Sequence, residues 1–173
     1  MAINITQGYT LSANDSTPGV KNFWILNEEP ETVIPSSGGP ITGFTTVGDD
    51  GIWMKFECAD GEGDFSTAST AGSGGIEHVT TANYRIGGLS QAKISSLNEL
   101  MQSQRIAIVA EMRDGTFYYL SKNGMTAGSG TVTSGTGGGG ASSIGGTVVF
   151  TSQDAEQPIE VTVATTLAAI TDV

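Results

Sequence analysis

Histidine and cysteine are almost missing from this chain, which has one of each, His78 and Cys58. A single cysteine excludes an internal disulfide framework. Zinc needs about three or four Cys, His or acidic ligands in a cluster, and one Cys with one His falls short. Basic residues are scarce too: 7 Lys and Arg stand against 18 Asp and Glu, a formal charge of −11. A protein that grips nucleic acid by its phosphates has the opposite balance, whereas a surface that repels DNA fits this one. No apolar run approaches the ~20 residues of a spanning helix. The opening "MAINITQGYT" has no basic segment followed by an apolar one, so export through a signal peptide is not expected.

Catalytic signatures are equally thin. The glycine-rich stretch lacks the Gly-Lys-Ser/Thr ending of a phosphate loop, and no Gly-x-Ser-x-Gly elbow is present. "DGEGD", with Asp60, Glu62 and Asp64, resembles the start of a calcium loop. Phe65 then takes the place of the required glycine and Ala71 that of the bidentate Glu, so a solvated acidic loop tip is the better reading. Cys58 and His78 fall on two arms of an expected hairpin, but the thiol lies in an apolar alternation with nothing to activate it. Catalytic residues, metals and cofactors are therefore not expected, and the chain does not read as an enzyme.

What is present is short strands and turns. Glycine is abundant, at 25 of 173 residues, and Ser and Thr are plentiful. With a single helical pattern, this predicts one mainly β domain over residues 1–173: an antiparallel β-sandwich or half-barrel with one flanking α-helix. Residues 4–11 and 20–26 read as strands around the turn chemistry of "NDSTPG". The stretch 28–50 reads as an extended loop or arm, and residues 28–42 hold three of the five prolines. In "GIWMKFECAD", Ile52, Met54, Phe56 and Cys58 alternate with Trp53, Lys55, Glu57 and Ala59, the mark of a half-buried strand. Its expected return partner is 76–89, across a projecting loop at 60–75. "QAKISSLNELMQS" spaces Ile94, Leu97 and Met101 as a helix face, with Leu100 alongside and Ser90 as N-cap, and predicts a helix at about 91–103. Asp114-Gly115 predicts a two-residue hairpin turn pairing Met112 with Phe117, Ala110 with Tyr119 and Val109 with Leu120. Residues 124–146 hold ten glycines and read as a flexible loop.

Four stretches in order resemble the tail tube protein family of long-tailed bacteriophages, of the kind found in phages of Bacteroidota hosts. They are "ITQGYTLSANDSTPGVKNFWILN", "GIWMKFECADGEGDFSTASTAG", "SQAKISSLNELMQSQRIAIVAEMRDGTFYYLSKNGMTAGSGTVTSGTG" and "GGTVVFTSQDAEQPIEV". The resemblance implies a virion structural protein, assembled in the host cytoplasm. Its subunits form hexameric rings that stack into a tube, join other tail proteins, and pass genomic DNA down the lumen without specific binding and without a membrane. Acidic charge suits that passage if the acids line the lumen. The candidate inter-ring contacts are Asp60, Glu62, Asp64 and Phe65 in the loop at 60–75, with the arm at 28–42. The alternatives are a tail terminator, a head decoration protein or a carbohydrate-binding β-sandwich. The last needs aromatics exposed on one face, whereas Trp24, Trp53, Tyr118 and Tyr119 are claimed here by strand packing.

Overall fold

The structure, a computed structural model, describes residues 19–26, 31–32, 39–42, 44–45, 53–58, 63–87, 91–102, 105–131 and 145–162. In chain order the elements are β1 (Val20–Leu26), β2 (Glu31–Thr32), β3 (Phe44–Thr45), β4 (Met54–Glu57), β5 (Asp64–Gly72) and β6 (Gly75–Gly87). Then follow α1 (Gln91–Gln102), β7 (Ala107–Met112), β8 (Phe117–Tyr119), β9 (Thr126–Thr131), β10 (Gly145–Asp154) and β11 (Ile159–Val161). A five-stranded sheet runs β11-β8-β7-β1-β4, and a four-stranded sheet runs β5-β6-β10-β9. All their ladders are antiparallel, and β2 and β3 pair as a separate ribbon. The described residues are thus mainly β and sandwich-like, with one short helix among them, as the composition predicts.

Strand alternation builds two apolar clusters. Phe23 and Ile25 of β1, with Ile108 and Ala110 of β7, meet Ala82 and Tyr84 of β6 and Val148 and Phe150 of β10 between the sheets. The Phe23 and Tyr84 rings meet edge to face at 6.1 Å. Burying one such side chain contributes about 1.5–3 kcal/mol. On the other face of the five-stranded sheet, Leu26, Ala107, Val109, Tyr119 and Val161 join Ile41 and Trp53 in a second cluster. The central strand β7 is therefore buried on both faces, which is why "IAIVA" runs apolar without alternating. The helix forms where its spacing predicts, lies against β9 and β10, and buries Leu100 in the inter-sheet core.

Several expectations are corrected. The β7–β8 hairpin pairs Val109 with Tyr119, Ala110 with Tyr118 and Glu111 with Phe117, one residue away from the two-residue-turn register. Its loop has three residues. Gly115 N donates to Met112 O at 3.1 Å, Met112 N donates to Thr116 O at 2.8 Å, and only Gly115 has positive φ, at 89°. That is a tight turn closed by a left-handed glycine, and the added residue shifts the pairing. Thr116 N also donates to Asp114 Oδ1 at 2.8 Å, and this bond holds the Asp114 carboxyl below its usual range.

The strand around Met54 and Phe56 pairs with β1, not with residues 76–89. The partner of β6 is instead β5, in the stretch expected to be a projecting loop. Within the glycine-rich stretch, Thr126–Thr131 is strand β9, and β10 begins at Gly145. In the expected arm, Ile41 N donates to Glu160 O at 2.8 Å and Thr162 N donates to Ile41 O at 3.0 Å, which ties the fully buried Ile41 to β11. The expected strand at 4–11, the N-cap Ser90, residues 132–144 and most of 28–50 lie outside the described residues.

Candidate assembly surface

The longest hairpin joins β5 and β6 through a two-residue turn, Ser73-Gly74, between the paired Gly72 and Gly75. Gly75 sits at a φ of 129°, a conformation that side-chain-bearing residues rarely adopt. Hydroxyl contacts hold the two strands together. Thr67 Oγ1 lies 3.0 Å from Thr80 Oγ1, and Ser69 Oγ lies 2.7 Å from His78 Nδ1. From Ala68 to Glu77 every residue is exposed, including Ile76 at 59%. Ile76 and Met54 are the large apolar side chains left exposed among the described residues.

Strand β5 forms one edge of its sheet and β9 forms the other. Nine extended residues span about 30 Å, so β5 presents a long row of backbone groups with no second partner among the described residues. Its sequence, "DFSTASTAG", has no Lys, Arg or Pro, the residues that commonly blunt an exposed edge. Such an edge accepts another strand.

The four candidate contact residues separate. Asp60 and Glu62 lie outside the described residues. Asp64 opens β5, is exposed, and accepts a hydrogen bond from Asn83 Nδ2 across the ladder. Phe65 is half-buried against the inter-sheet core, its ring 5.9 Å from that of Tyr118. Asp64 and Phe65 therefore mark the base of the hairpin, and Thr70, Ala71, Ile76 and Glu77 form its outer end. A cut of 61–74 would remove β5 and an anchor of the core, not a loop.

Sequence reading missed two polar constellations. On the inner face of the four-stranded sheet, Ser69, His78 and Asp154 fall in one row across β5, β6 and β10. Asp154 Oδ2 accepts from Ser121 Oγ at 2.6 Å and from Asn123 N at 3.3 Å, so its carboxylate is turned to the loop after β8. On the five-stranded sheet, the nearly buried Glu111 accepts from Asn22 Nδ2 at 2.7 Å, Lys21 Nζ at 3.0 Å and Trp24 Nε1 at 3.0 Å. Burial pushes the Glu111 carboxyl up, but the bonds from Asn22, Lys21 and Trp24 outweigh it and hold the group below its ordinary value. The available signal was a lone Glu inside an apolar strand, since a buried charge requires partners.

Comparison with family models, curated proteins and solved structures gives no match. Other chemistry finds little support at these positions. Cys58 follows β4 in one sheet and His78 lies in β6 of the other, and burial pushes the Cys58 thiol up to about 12. No group of three or more His, Cys, Asp or Glu side chains arranged to hold a metal occurs among the described residues. No described aromatic side chain is exposed: Trp53 and Tyr119 are buried, Trp24 and Tyr118 half-buried. Among the described residues no helix is long and apolar enough to cross a membrane.

Proposed function

We propose that this chain is a self-assembling structural subunit, a tail tube protein of a long-tailed bacteriophage whose rings stack into a conduit for DNA. The observation that carries this reading is the four-stranded sheet whose two outer strands, β5 and β9, have no further strand paired to them among the described residues. A head-to-tail contact joining β5 of one copy to β9 of the next repeats around a ring until it closes, and closure leaves no edge unpaired. The missing edge-blunting residues of β5 are then a requirement of assembly and not a hazard. Six copies per ring is the number that the family resemblance implies. The exposed outer end of the hairpin, with Ile76, supplies a contact for the next ring. A charge of −11 suits a particle that carries DNA without binding it.

Negative-stain electron microscopy of the purified protein tests the reading. Hollow filaments of uniform width are expected, and discrete rings or monomers at high concentration would refute a tube role. The variant Ala68→Lys/Thr70→Lys, which places two cations on the exposed β5 edge, is expected to keep its circular dichroism spectrum and lose the filaments.

A further inference from the structure

The two large apolar side chains exposed among the described residues, Ile76 and Met54, both stand in core-facing register. Along β6, Tyr84, Ala82, Thr80 and His78 alternate onto the buried face, and Ile76 is the next position of that series. The hairpin carries Ile76 beyond the core that its register serves. On β4, Met54 shares its face with Phe56, which packs on the inter-sheet core, yet Met54 itself is left outside it.

Met54 borders a groove of about 390 Å³ between α1 and the β1–β4 pair. Ile25, Phe56, Leu100 and Ile106 complete an apolar wall, and Glu99 of the helix adds a single charge. The groove belongs to the end of β6 away from the tip, since the Tyr84 and Phe56 rings meet with centroids 5.7 Å apart. Tyr84 lies eight residues along the strand from Ile76, roughly 27 Å, so the tip cannot reach the groove of its own chain.

We propose that the Ile76 tip of one copy seats in the α1–β4 groove of the next. The inference rests on the tube reading and supplies the acceptor of its axial contact. From Ala68 to Ile76 the tip has no charge, so in a chain of −11 it can enter an apolar groove without burying an acid. One charge follows each apolar residue on the opposite face of its strand, Glu77 after Ile76 and Lys55 after Met54, and the two are of opposite sign. Lys55 bonds the exposed Glu57 at 2.9 Å, a surface pair weak enough to exchange for Glu77. Tip and groove are different surfaces at opposite ends of β6, so their contact is head-to-tail and continues from copy to copy without closing. The edges β5 and β9 close a ring sideways, and this contact extends it lengthwise. One such contact is small, but a ring makes one per subunit at once, and that multiplicity holds the stack.

Disulfide cross-linking of assembled tubes tests the pairing. The chain carries Met54→Cys and Ile76→Cys in a Cys58→Ala background, which leaves no other thiol. The two positions are too far apart to bridge within one copy. Oxidised tubes are expected to give a ladder on a non-reducing gel that runs past the copy number of one ring, while each single-cysteine variant stays monomeric. A ladder that stops at one ring would place the contact inside the ring, and dimers from a single-cysteine variant would make it self-paired. Tubes with no ladder would leave the groove without the tip. Each of these overturns the inference while the tube reading stands. Failure of the unaltered chain to form tubes overturns both. Ile76→Asp, at an exposed position, is expected to lose tubes by negative-stain microscopy and keep rings; full-length tubes from it would refute the contact. Glu77→Lys should shorten tubes and Glu77→Lys/Lys55→Glu should restore them, and no restoration would refute the charge pairing.

Discussion

Replacing Glu111 by alanine strips one acceptor from three donors at once. Asn22 is buried, and its amide would lose a 2.7 Å bond to a charged oxygen, worth about 1.5–3 kcal/mol. The half-buried Trp24 indole would lose a 3.0 Å bond, worth about 1 kcal/mol. Lys21, whose side chain is 60% exposed, adds at most a few tenths, because water replaces its partner. Relief from burying a charge offsets part of the loss, which leaves a net destabilisation of about 2–4 kcal/mol. In urea, with m of about 2 kcal/mol/M, the middle of the usual range, the midpoint should fall by about 1–2 M with m unchanged. Lys21→Ala, the control, should move stability by less than about 0.5 kcal/mol. The carboxyl lies below its ordinary value in the fold, so the unfolded chain protonates first as pH falls. The contribution of Glu111 is therefore complete above the unfolded value of about 4.3 and is lost as pH falls through the lower folded value. Glu111→Gln should remove that acid-side slope. A Glu111→Ala loss below about 0.5 kcal/mol would refute the claim that this carboxylate holds β1 to β7.

Two further predictions concern the neighbourhood of Cys58. A Cβ on Gly63 would lie 2.5 Å from Cys58 Sγ and 3.1 Å from Val20 O, so Gly63→Ala should cost about 1–3 kcal/mol in urea unfolding. The cost should shrink in a Cys58→Ala background, because the sulfur is the nearest obstacle, and strictly additive losses would count against that contact. With its thiol pushed up to about 12, Cys58 should react with a maleimide at pH 8 far more slowly in the native protein than in urea. Equal rates would show that burial does not control the thiol.

Burial decided what could be read from the sequence. Strand β1, the apolar β7 and the helix stood out because each sends apolar residues into a core, as short apolar runs in the strands and as three-and-four spacing in the helix. Strand β5 did not, because it is an edge whose outer half is exposed on both faces, and small polar residues there are under no demand to alternate. Strand β9, "TAGSGT", was hidden in the same way by glycine. The β7–β8 register was missed by one residue because Asp-Gly serves both a two-residue turn and a three-residue loop, and only the φ values separate them. The candidate surface was partly legible. The stretch from Asp60 onward was singled out, but its ladder with β6 and its half-buried base at Phe65 exist only once residues distant in sequence are paired.

Hydrogen exchange along β5 and β9, in free subunits and in assembled material, tests the edge account most directly. In the subunit, amides of Asp64–Gly72 that point away from β6 should exchange at rates near those of an open chain, and so should the outward amides of β9. On assembly both sets should slow together, since each strand becomes the other's partner. Filaments in which these amides still exchange freely would contradict the account, because the subunits would then be joined by some surface other than their edges.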